Sequence, residues 1–280
     1  MLLDFALDGL AAAKNIAQRV EGSNNGHGKH MNFSGISSNT MLGKILRSPL
    51  RLIPSNARIP ILQGSLRGKQ WIAGSGILSC WLGSYEIEKQ KAFSAAIQRG
   101  FTVYDIGANV GFYSLLASVL VGPEGKVFSF EPVPQNLEFL RRHVELNKLS
   151  NCFVWDAAVG SSDGTASFDL GPNRAQGHLT AESYGALTVR TVTLDGLVAS
   201  GRLPPPDLIK CDIEGAEYEA LMGASGILAK YGPTIFLSTH GPEVHRRCCR
   251  LLEDLRYRLT SLDGLPLDRT YELLAIRQEA

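Results

Sequence analysis

The sequence predicts an α/β fold with a twisted, largely parallel β-sheet and helices on both of its faces. Short apolar segments alternate with helical patterns about five times along the chain, and such alternation is typical of strand–helix–strand units. Two adjacent strand patterns, Tyr257–Ser261 and Tyr271–Arg277, close the chain. A ligand is therefore expected at the carboxyl ends of the parallel strands.

The composition is that of an ordinary soluble core. The chain has 280 residues, of which 44% are hydrophobic and 20% are charged. The net charge of +1 gives no global reason to expect nucleic-acid binding. No apolar run is long enough for a transmembrane segment, and five cysteines without a C-x-x-C pair favour reduced thiols in the cytoplasm.

The chain divides into three predicted regions. Residues 1–40 are expected to be a poorly ordered or helical N-terminal extension, so that Met1, Met31 or Met41 could each be the true start. Residues 41–82 are predicted to form a basic lead-in with short strands. Six basic residues and no acid occur in 41–69, which favours a solvated surface and leaves peripheral membrane contact as an alternative. Residues 83–280 form the main domain.

The most informative stretch is a strand that ends in two glycines and continues as a helix. It contains Asp105, Gly107, Asn109 and Gly111. The glycines allow backbone N–H groups to approach a ligand, and the helix N-terminus adds partial positive charge. Asp105 can accept a hydrogen bond from an amine or a hydroxyl. The spacing matches neither the dinucleotide fingerprint G-x-G-x-x-G nor a P-loop.

The segments just upstream are expected to reach the same ligand. Lys69–Leu82 predicts one or two short strands, and Ile87–Arg99 predicts a helix. Because this helix leads directly into the Asp105 strand, Tyr85 and Glu86 are expected to lie near the ligand.

An acidic residue follows the second predicted strand, Lys126–Phe130. Glu131 stands where a ribose diol would be held by two charge-assisted hydrogen bonds. Asn136 is expected to cap the next helix, Leu137–Asn147.

The third strand is predicted over Cys152–Val159, interrupted by Asp156. Asp156 and the small residue Ala157 could hold an adenine at this strand end. Asp163 and Gly164 then predict a hairpin turn. The polar, Gly-rich segment 171–185 is expected to be functional or loosely ordered.

Three carboxylates follow the predicted strand Leu208–Cys211, namely Asp212, Glu214 and Glu217. Carboxylates this close repel one another unless a cation, a proton or donor groups lie between them. They could ligate a metal, act as a general base or grip a positively charged ligand. Helix capping could explain Glu217, but it explains Asp212 poorly.

A histidine follows the next predicted strand, Pro233–Leu237. His240 is well placed as a general base at neutral pH, although a purely structural histidine is equally consistent with the pattern. His245 and Cys249 are four residues apart on the following helix, but no second half of a metal site is visible.

Together these elements indicate an adenosine ligand with amino-acid-like polarity and no pyrophosphate, a description that S-adenosylmethionine fits. The chain resembles the FkbM family of S-adenosylmethionine-dependent methyltransferases over about residues 83–274. The matching segments are Asp105–Ser114, Phe130–Pro132, Asn136–Asn147 and Asp207–Glu217.

The resemblance implies a class I methyltransferase (Rossmann-like) fold with a seven-stranded, mostly parallel sheet and an antiparallel C-terminal edge. It implies that Glu131 holds the ribose of the cofactor and that Asp105 and the glycine loop hold its methionine end. Asp156 would lie on the adenine side. Tyr85, Ala157 and Asp212 are further expected contacts of the cofactor.

Members of this family mostly methylate hydroxyl oxygens of sugars, glycolipids or polyketide-like natural products. The expected acceptor is therefore a small molecule or glycan. His240 is the first candidate base, and Asp212 or Glu214 is the second. Many members carry an acid after the fifth strand, where this chain has Ser238, Thr239 and His240, so this chain departs from the family pattern at its candidate base.

Four alternatives remain open at this point. The chain could be an N-methyltransferase acting on a small molecule, or a non-catalytic module that binds S-adenosylmethionine. A nucleotide-dependent oxidoreductase is disfavoured by the missing G-x-G-x-x-G. A divalent metal held by Asp212 and its neighbours could polarise a substrate diol, although no residue is assigned as a metal ligand.

Overall fold

The computed structural model describes residues 53–169, 178–180 and 187–278. The predicted extension, the first part of the basic lead-in and most of segment 171–185 lie outside these residues. Membrane contact through 41–69 and a cytoplasmic location stay predictions. Among the described residues, no helix combines the length and apolar character that crossing a bilayer requires.

The central sheet and its neighbours are built from short, regular elements. The strands are β1 Arg58–Pro60, β2 Gln70–Ile72, β3 Thr102–Ile106, β4 Lys126–Phe130, β5 Cys152–Trp155, β6 Ala158–Val159, β7 Gly164–Asp169, β8 His178–Thr180, β9 Leu187–Val192, β10 Leu208–Cys211, β11 Thr234–Ser238, β12 Tyr257–Ser261 and β13 Glu272–Arg277. The helices are α1 Leu78–Leu82, α2 Ile87–Ala96, α3 Phe112–Val121, α4 Pro134–Leu146, α5 Leu194–Ala199, α6 Glu217–Met222, α7 Ser225–Tyr231 and α8 Pro242–Asp254.

The seven-stranded sheet has the order β12-β13-β11-β10-β3-β4-β5. The pairs from β11 to β5 are parallel, whereas β13 runs antiparallel to both β11 and β12. The predicted seven-stranded, mostly parallel sheet with an antiparallel C-terminal edge is therefore confirmed. The register places Asp105 opposite Lys210 on one side and Ser129 on the other. The carboxyl ends of β3, β4, β10 and β11 consequently meet at one edge.

Apolar residues cover both faces of this sheet. Tyr104 and Ile209 belong to the buried cluster that includes residues of α6, α7 and α8. Their neighbours Val103 and Leu208 point to the other face, where they pack with residues of α2 and α3 and with Trp71 of the lead-in. Because successive strand residues alternate between two buried faces, the strands read as continuous apolar runs.

Two expectations about helices are wrong, one before β3 and one after β4. Leu78–Leu82 is a helix instead of a strand, because a short apolar run does not distinguish the two and tertiary packing decides. Asn136 does not cap α4, which begins two residues earlier at Pro134. Pro134 suits the first turn of a helix because its missing N–H is not needed there. The side chain of Asn136 is buried and donates to Glu131 instead.

Two further expectations fail at the four-stranded sheet, whose order is β6-β9-β7-β8. The predicted third strand divides into β5 of the central sheet and β6 of this one. Asp163 and Gly164 do not turn a hairpin, because β9 lies between β6 and β7.

The single helix expected downstream of Glu217 is also wrong, because it is divided into α6 and α7. The carboxylate of Asp195 accepts hydrogen bonds of 2.8 Å from the N–H groups of Gly226 and Ile227 and so holds the first turn of α7.

The lead-in is joined to the main domain through a buried histidine. His143 of α4 donates from Nδ1 to the carbonyl of Val110 (2.7 Å) and accepts at Nε2 from the N–H of Ile72 (3.1 Å). Its ring stacks on Trp71 with 4.0 Å between centroids. Burial lowers the pKa of His143 to about 4, because a charged imidazole would lose its water and its acceptor nitrogen.

His143 is expected to make the folded state sensitive to acid. The unfolded chain binds a proton near pH 6.5, whereas the folded chain resists it down to about pH 4, so stability falls as the pH drops through this window. The free energy of unfolding should fall by about 2 kcal/mol from this group between about pH 7.5 and about pH 5. Urea denaturation of the wild type and His143→Gln at both pH values measures it. An equal pH dependence in both proteins would contradict the prediction.

Candidate active site

The loop between β3 and α3, residues 107–111, can only be built with glycine at its first position. Gly107 has φ +76°, and a Cβ there would lie 2.0 Å from the carbonyl oxygen of Asp212. The N–H groups of Gly107 and Ala108 both donate to the carbonyl of Phe130 at 3.0 Å. Gly111 precedes the first turn of α3. This glycine loop therefore packs directly against the ends of β4 and β10.

Glu131 organises the same loop from the end of β4. Its Oε2 accepts from the backbone N–H of Asn109 (2.8 Å), and its Oε1 accepts from the N–H of Val133 and from Asn136. The side chain is almost fully buried, and this burial raises its pKa despite the three donors. Each carboxylate oxygen has two acceptor positions, so Oε2 retains capacity for one more donor.

Asp105 lies beneath the loop and is fully buried. Its Oδ2 accepts from Ser114 Oγ at 2.6 Å, and its Oδ1 is 3.4 Å from Lys210 Nζ. Lys210 also donates to the carbonyl of Gly107 at 3.0 Å. Burial alone would lower the pKa of Lys210, but the carboxylates of Asp105 and Asp212 outweigh it and raise that pKa. In this structure Asp105 therefore supports the glycine loop indirectly, because it pairs with Lys210, which holds the carbonyl of Gly107.

The two residues expected on the adenine side differ in exposure. The side chain of Asp156 is 63% exposed and lies 3.6 Å from Arg141 of α4. Ala157 is buried, and its methyl group belongs to one of the main apolar clusters. Only the backbone of Ala157 is thus left for an adenine contact.

Tyr85 and Glu86 lie beside the first turn of α3, and their expected contact with the ligand stays a prediction. The ring of Tyr85 packs edge-on against Phe112 with 5.2 Å between centroids, and burial raises the pKa of its hydroxyl. Tyr113 donates its hydroxyl to Glu86 Oε2 at 2.9 Å.

Lys89 of α2 is a buried cation that the sequence analysis missed. Its Nζ donates to Ser238 Oγ (2.6 Å) and lies 3.0 Å from Glu272. It is also 3.5 Å from both Glu86 and Asp212. Burial would lower the pKa of Lys89, but these three carboxylates outweigh burial and raise it. Lys89 thus joins α2 to the ends of β10, β11 and β13.

Asp212 links the glycine loop to His240. Its Oδ2 faces the ammonium groups of Lys89 and Lys210, whereas its Oδ1 is 3.8 Å from His240 Nε2. Burial would raise the pKa of Asp212, but the two lysines and His240 outweigh it and lower that pKa. The carboxylate is therefore ionised near neutral pH.

His240 lies among three carboxylates that all come from the short segment after β10, those of Asp212, Glu214 and Glu217. Its Nδ1 is 2.8 Å from Oε1 of Glu217, which is fully buried. Its Nε2 is 3.5 Å from Glu214 and 3.8 Å from Asp212. The hydrogen bond to Glu217, together with the nearby negative charges, raises the pKa of His240 against the effect of burial.

A metal ion could in principle use part of this cluster. One ligand atom from each of Asp212, Glu214 and His240 lies within 4.8 Å of the others. The charges nearby oppose this use, because two lysine ammonium groups already neutralise Asp212 and the raised pKa of His240 favours its proton. The described residues thus suit proton transfer better than metal binding.

Residues 105–259 match the family model of the methyltransferase FkbM domain, more than half of the chain. The chain belongs to the FkbM methyltransferase family. Its described core, with the sheet order given above, has the class I methyltransferase fold expected from the sequence.

Two relatives are methyltransferases by name. The hexuronic acid methyltransferase AglP of Haloferax volcanii is 31% identical over 126 residues, which cover 45% of this FkbM-family chain and 51% of AglP. The methyltransferase sdnD of Sordaria araneosa is 28% identical, with coverage of 56% and 74% respectively. The chain therefore aligns with about half the length of AglP.

A solved FkbM methyltransferase from Methylobacillus flagellatus is similar at 21% identity and a TM-score of 0.45. The alignment covers 63% of this chain and 43% of that protein.

Proposed function

We propose that this FkbM-family protein transfers the methyl group of S-adenosylmethionine to a hydroxyl oxygen of a sugar-containing small molecule or glycan. The observation that carries the proposal is the position of His240 Nε2, which faces Asp212 at the carboxyl ends of two parallel strands beside the glycine loop. Methylation of a hydroxyl requires a base that removes its proton, and His240 is such a group.

The residues around the glycine loop fit S-adenosylmethionine. Oε2 of Glu131 has acceptor capacity left for a ribose hydroxyl, and Asp156 is exposed at the neighbouring strand end. The partly exposed carboxylate of Glu86, which shares Lys89 with two other carboxylates, suits the positive end of such a ligand. When bound, S-adenosylmethionine supplies a methyl group on a positively charged sulfur, which keeps the electron pair of the bond that breaks.

The work left to the protein is alignment and proton removal. The acceptor hydroxyl must lie in line with the methyl group, with its proton directed to a base. Nε2 of His240 accepts this proton, and the surrounding carboxylates stabilise the imidazolium that forms. Asp212 or Glu214 is the next candidate base.

The class of acceptor rests on family resemblance and on the name of AglP, a hexuronic acid methyltransferase. N-methylation is a weaker candidate, because a neutral amine needs no base to attack. A non-catalytic binding module would not require the arrangement of His240 and the carboxylates.

Calorimetric titration with S-adenosylmethionine tests the cofactor site. We expect the wild type to bind and Glu131→Gln to bind about 10- to 100-fold more weakly, because a hydrogen bond to a charged group contributes about 1.5–3 kcal/mol. Glu138→Gln, at an exposed position of α4, is the matched control and should bind like the wild type. An absence of binding by the folded wild type would overturn the proposal.

Transfer of a labelled methyl group to neutral sugars, hexuronic acids and amino sugars tests the reaction. We expect an O-methyl product, formed equally well in excess chelator because no metal takes part. An N-methyl product would refute hydroxyl transfer, and full loss of activity in chelator would restore the metal hypothesis for Asp212.

A further inference from the structure

We infer that Glu217 is a positioning residue for His240. Its carboxylate fixes which imidazole nitrogen carries the hydrogen, and so presents the lone pair of Nε2 to the acceptor. This inference rests on the proposed role of His240 as the base, but the contact between the two side chains is a property of the fold and can be tested separately.

Glu217 is held more firmly than a surface helix cap. It is the first residue of α6, and its side chain is fully buried. Its Oε1 lies within hydrogen-bond distance of three donors that share its two acceptor positions: Nδ1 of His240 (2.8 Å) and the backbone N–H groups of Gly215 (3.0 Å) and Ile213 (3.2 Å). The turn after β10 therefore fixes the carboxylate, and the carboxylate fixes the imidazole.

The contact determines the tautomer of neutral His240. Oε1 of Glu217 acts as an acceptor, because it takes a hydrogen bond from the backbone N–H of Gly215. The imidazole nitrogen 2.8 Å from this oxygen, Nδ1, must therefore carry the hydrogen. Nε2 then has a free lone pair whenever the ring is neutral. The carboxylates nearest to Nε2, those of Glu214 and Asp212, are farther away at 3.5 and 3.8 Å.

The same contact prepares the ring to take up a proton. In the transfer step the acceptor oxygen forms a bond to the methyl carbon, the carbon–sulfur bond breaks with its electron pair left on sulfur, and the hydroxyl proton moves to Nε2. The resulting imidazolium donates from Nδ1 to Glu217 and lies near the charges of Glu214 and Asp212. The buried carboxylate thus stabilises the charge that develops during the reaction.

The cations in the neighbourhood do not cancel this effect at Nδ1. Lys89 and Lys210 face Oδ2 of Asp212. The other oxygen of that carboxylate, Oδ1, is the one that faces His240. Glu217 therefore remains the partner with the shortest contact to the ring.

A structural role for Glu217 makes different predictions. If it only anchored the turn after β10, its removal would lower stability and leave the tautomer and titration of a correctly folded His240 unchanged. If it acts through His240, its removal changes the ring itself. Glu217→Gln keeps the size of the side chain and removes its charge, and Glu219→Gln on the exposed side of α6 is the matched control.

The first measurement is nitrogen NMR of the imidazole in the full-length wild type, with His240→Gln to assign the signal. We expect the neutral ring to carry its hydrogen on Nδ1, and Glu217→Gln to lower the titration midpoint of His240 by about 1 pH unit. Glu219→Gln should leave it unchanged. A hydrogen on Nε2 in the neutral wild type would overturn the inference, even if Glu217→Gln failed to fold.

The second measurement is a double-mutant cycle of methyl transfer. We expect Glu217→Gln to lower kcat about 10- to 100-fold, to shift the acidic limb of the pH profile downward and to leave S-adenosylmethionine affinity within about threefold. The double variant with His240→Gln should be no slower than His240→Gln alone. Fully additive losses would refute the positioning role. Failure of the wild type to bind S-adenosylmethionine would instead refute the proposed function and leave the NMR result standing.

Discussion

Replacing Gly107 with alanine is expected to abolish S-adenosylmethionine binding and to lower the free energy of unfolding by about 3–5 kcal/mol. Two costs combine at this position. The backbone has φ +76°, which L-residues rarely adopt, and the new Cβ would lie 2.0 Å from the carbonyl oxygen of Asp212. That oxygen is backbone at the end of β10, so the clash can be relieved only by moving the loop or the strand end.

Gly100 provides a matched control. It has a similar backbone angle, φ +86°, but no atom lies within 4 Å of the position of its Cβ. Gly100→Ala should therefore lose only about 1–2 kcal/mol for its left-handed conformation and should retain cofactor binding. Urea denaturation and calorimetric titration of both variants measure the difference. Equal losses in the two variants would show that the contact between the glycine loop and Asp212 is unimportant.

Replacing His240 with glutamine is expected to lower the rate of methyl transfer by about 10²- to 10⁴-fold, the usual contribution of a positioned general base. Glutamine can still form a hydrogen bond with Glu217, so affinity for S-adenosylmethionine should stay within about threefold. The wild-type rate should rise with pH through a midpoint above the ordinary histidine value, because the contact with Glu217 raises the pKa of His240. This rise of the rate with pH, the acidic limb of the pH profile, should disappear in His240→Gln.

His245→Gln separates this effect from general damage near α8. His245 is buried, whereas His240 is partly exposed, and the ring of His245 contacts Thr239 Oγ1 (2.9 Å) and the carbonyl of Leu267 (2.8 Å). We expect this variant to be less stable and to keep the acidic limb of the pH profile. Activity of His240→Gln within about threefold of the wild type would assign the base to Asp212 or Glu214 instead.

Much of the fold and the chemical character of the site could be predicted from the chain alone. The strands ending at Phe130 and Cys211 end at the predicted residues. Each is a short, mostly apolar run followed by Glu or Asp, a local signal that needs no distant contact. Glu131, Asp212 and His240 were placed at strand ends for the same reason, although their roles stay predictions.

Tertiary structure decided what these groups contact. Lys210 reaches Gly107 across 103 residues of sequence, and Lys89 reaches Ser238 across 149. In the sequence Lys210 is only a polar residue inside an apolar strand, and Lys89 resembles any helix-surface lysine. Whether a lysine meets solvent or buried carboxylates depends on which strands become neighbours, and local periodicity carries no information about that.

The same reason explains Glu217, which the sequence suggested as a helix cap and the fold places against His240, 23 residues away. The residue types, their order and the strand ends were determined by the sequence through local hydrophobic periodicity and turn chemistry. The ion pairs, the tautomer of the imidazole and the position of β13 between β11 and β12 were determined by the tertiary structure. They arise from long-range packing that brings distant side chains into a shared, water-poor environment.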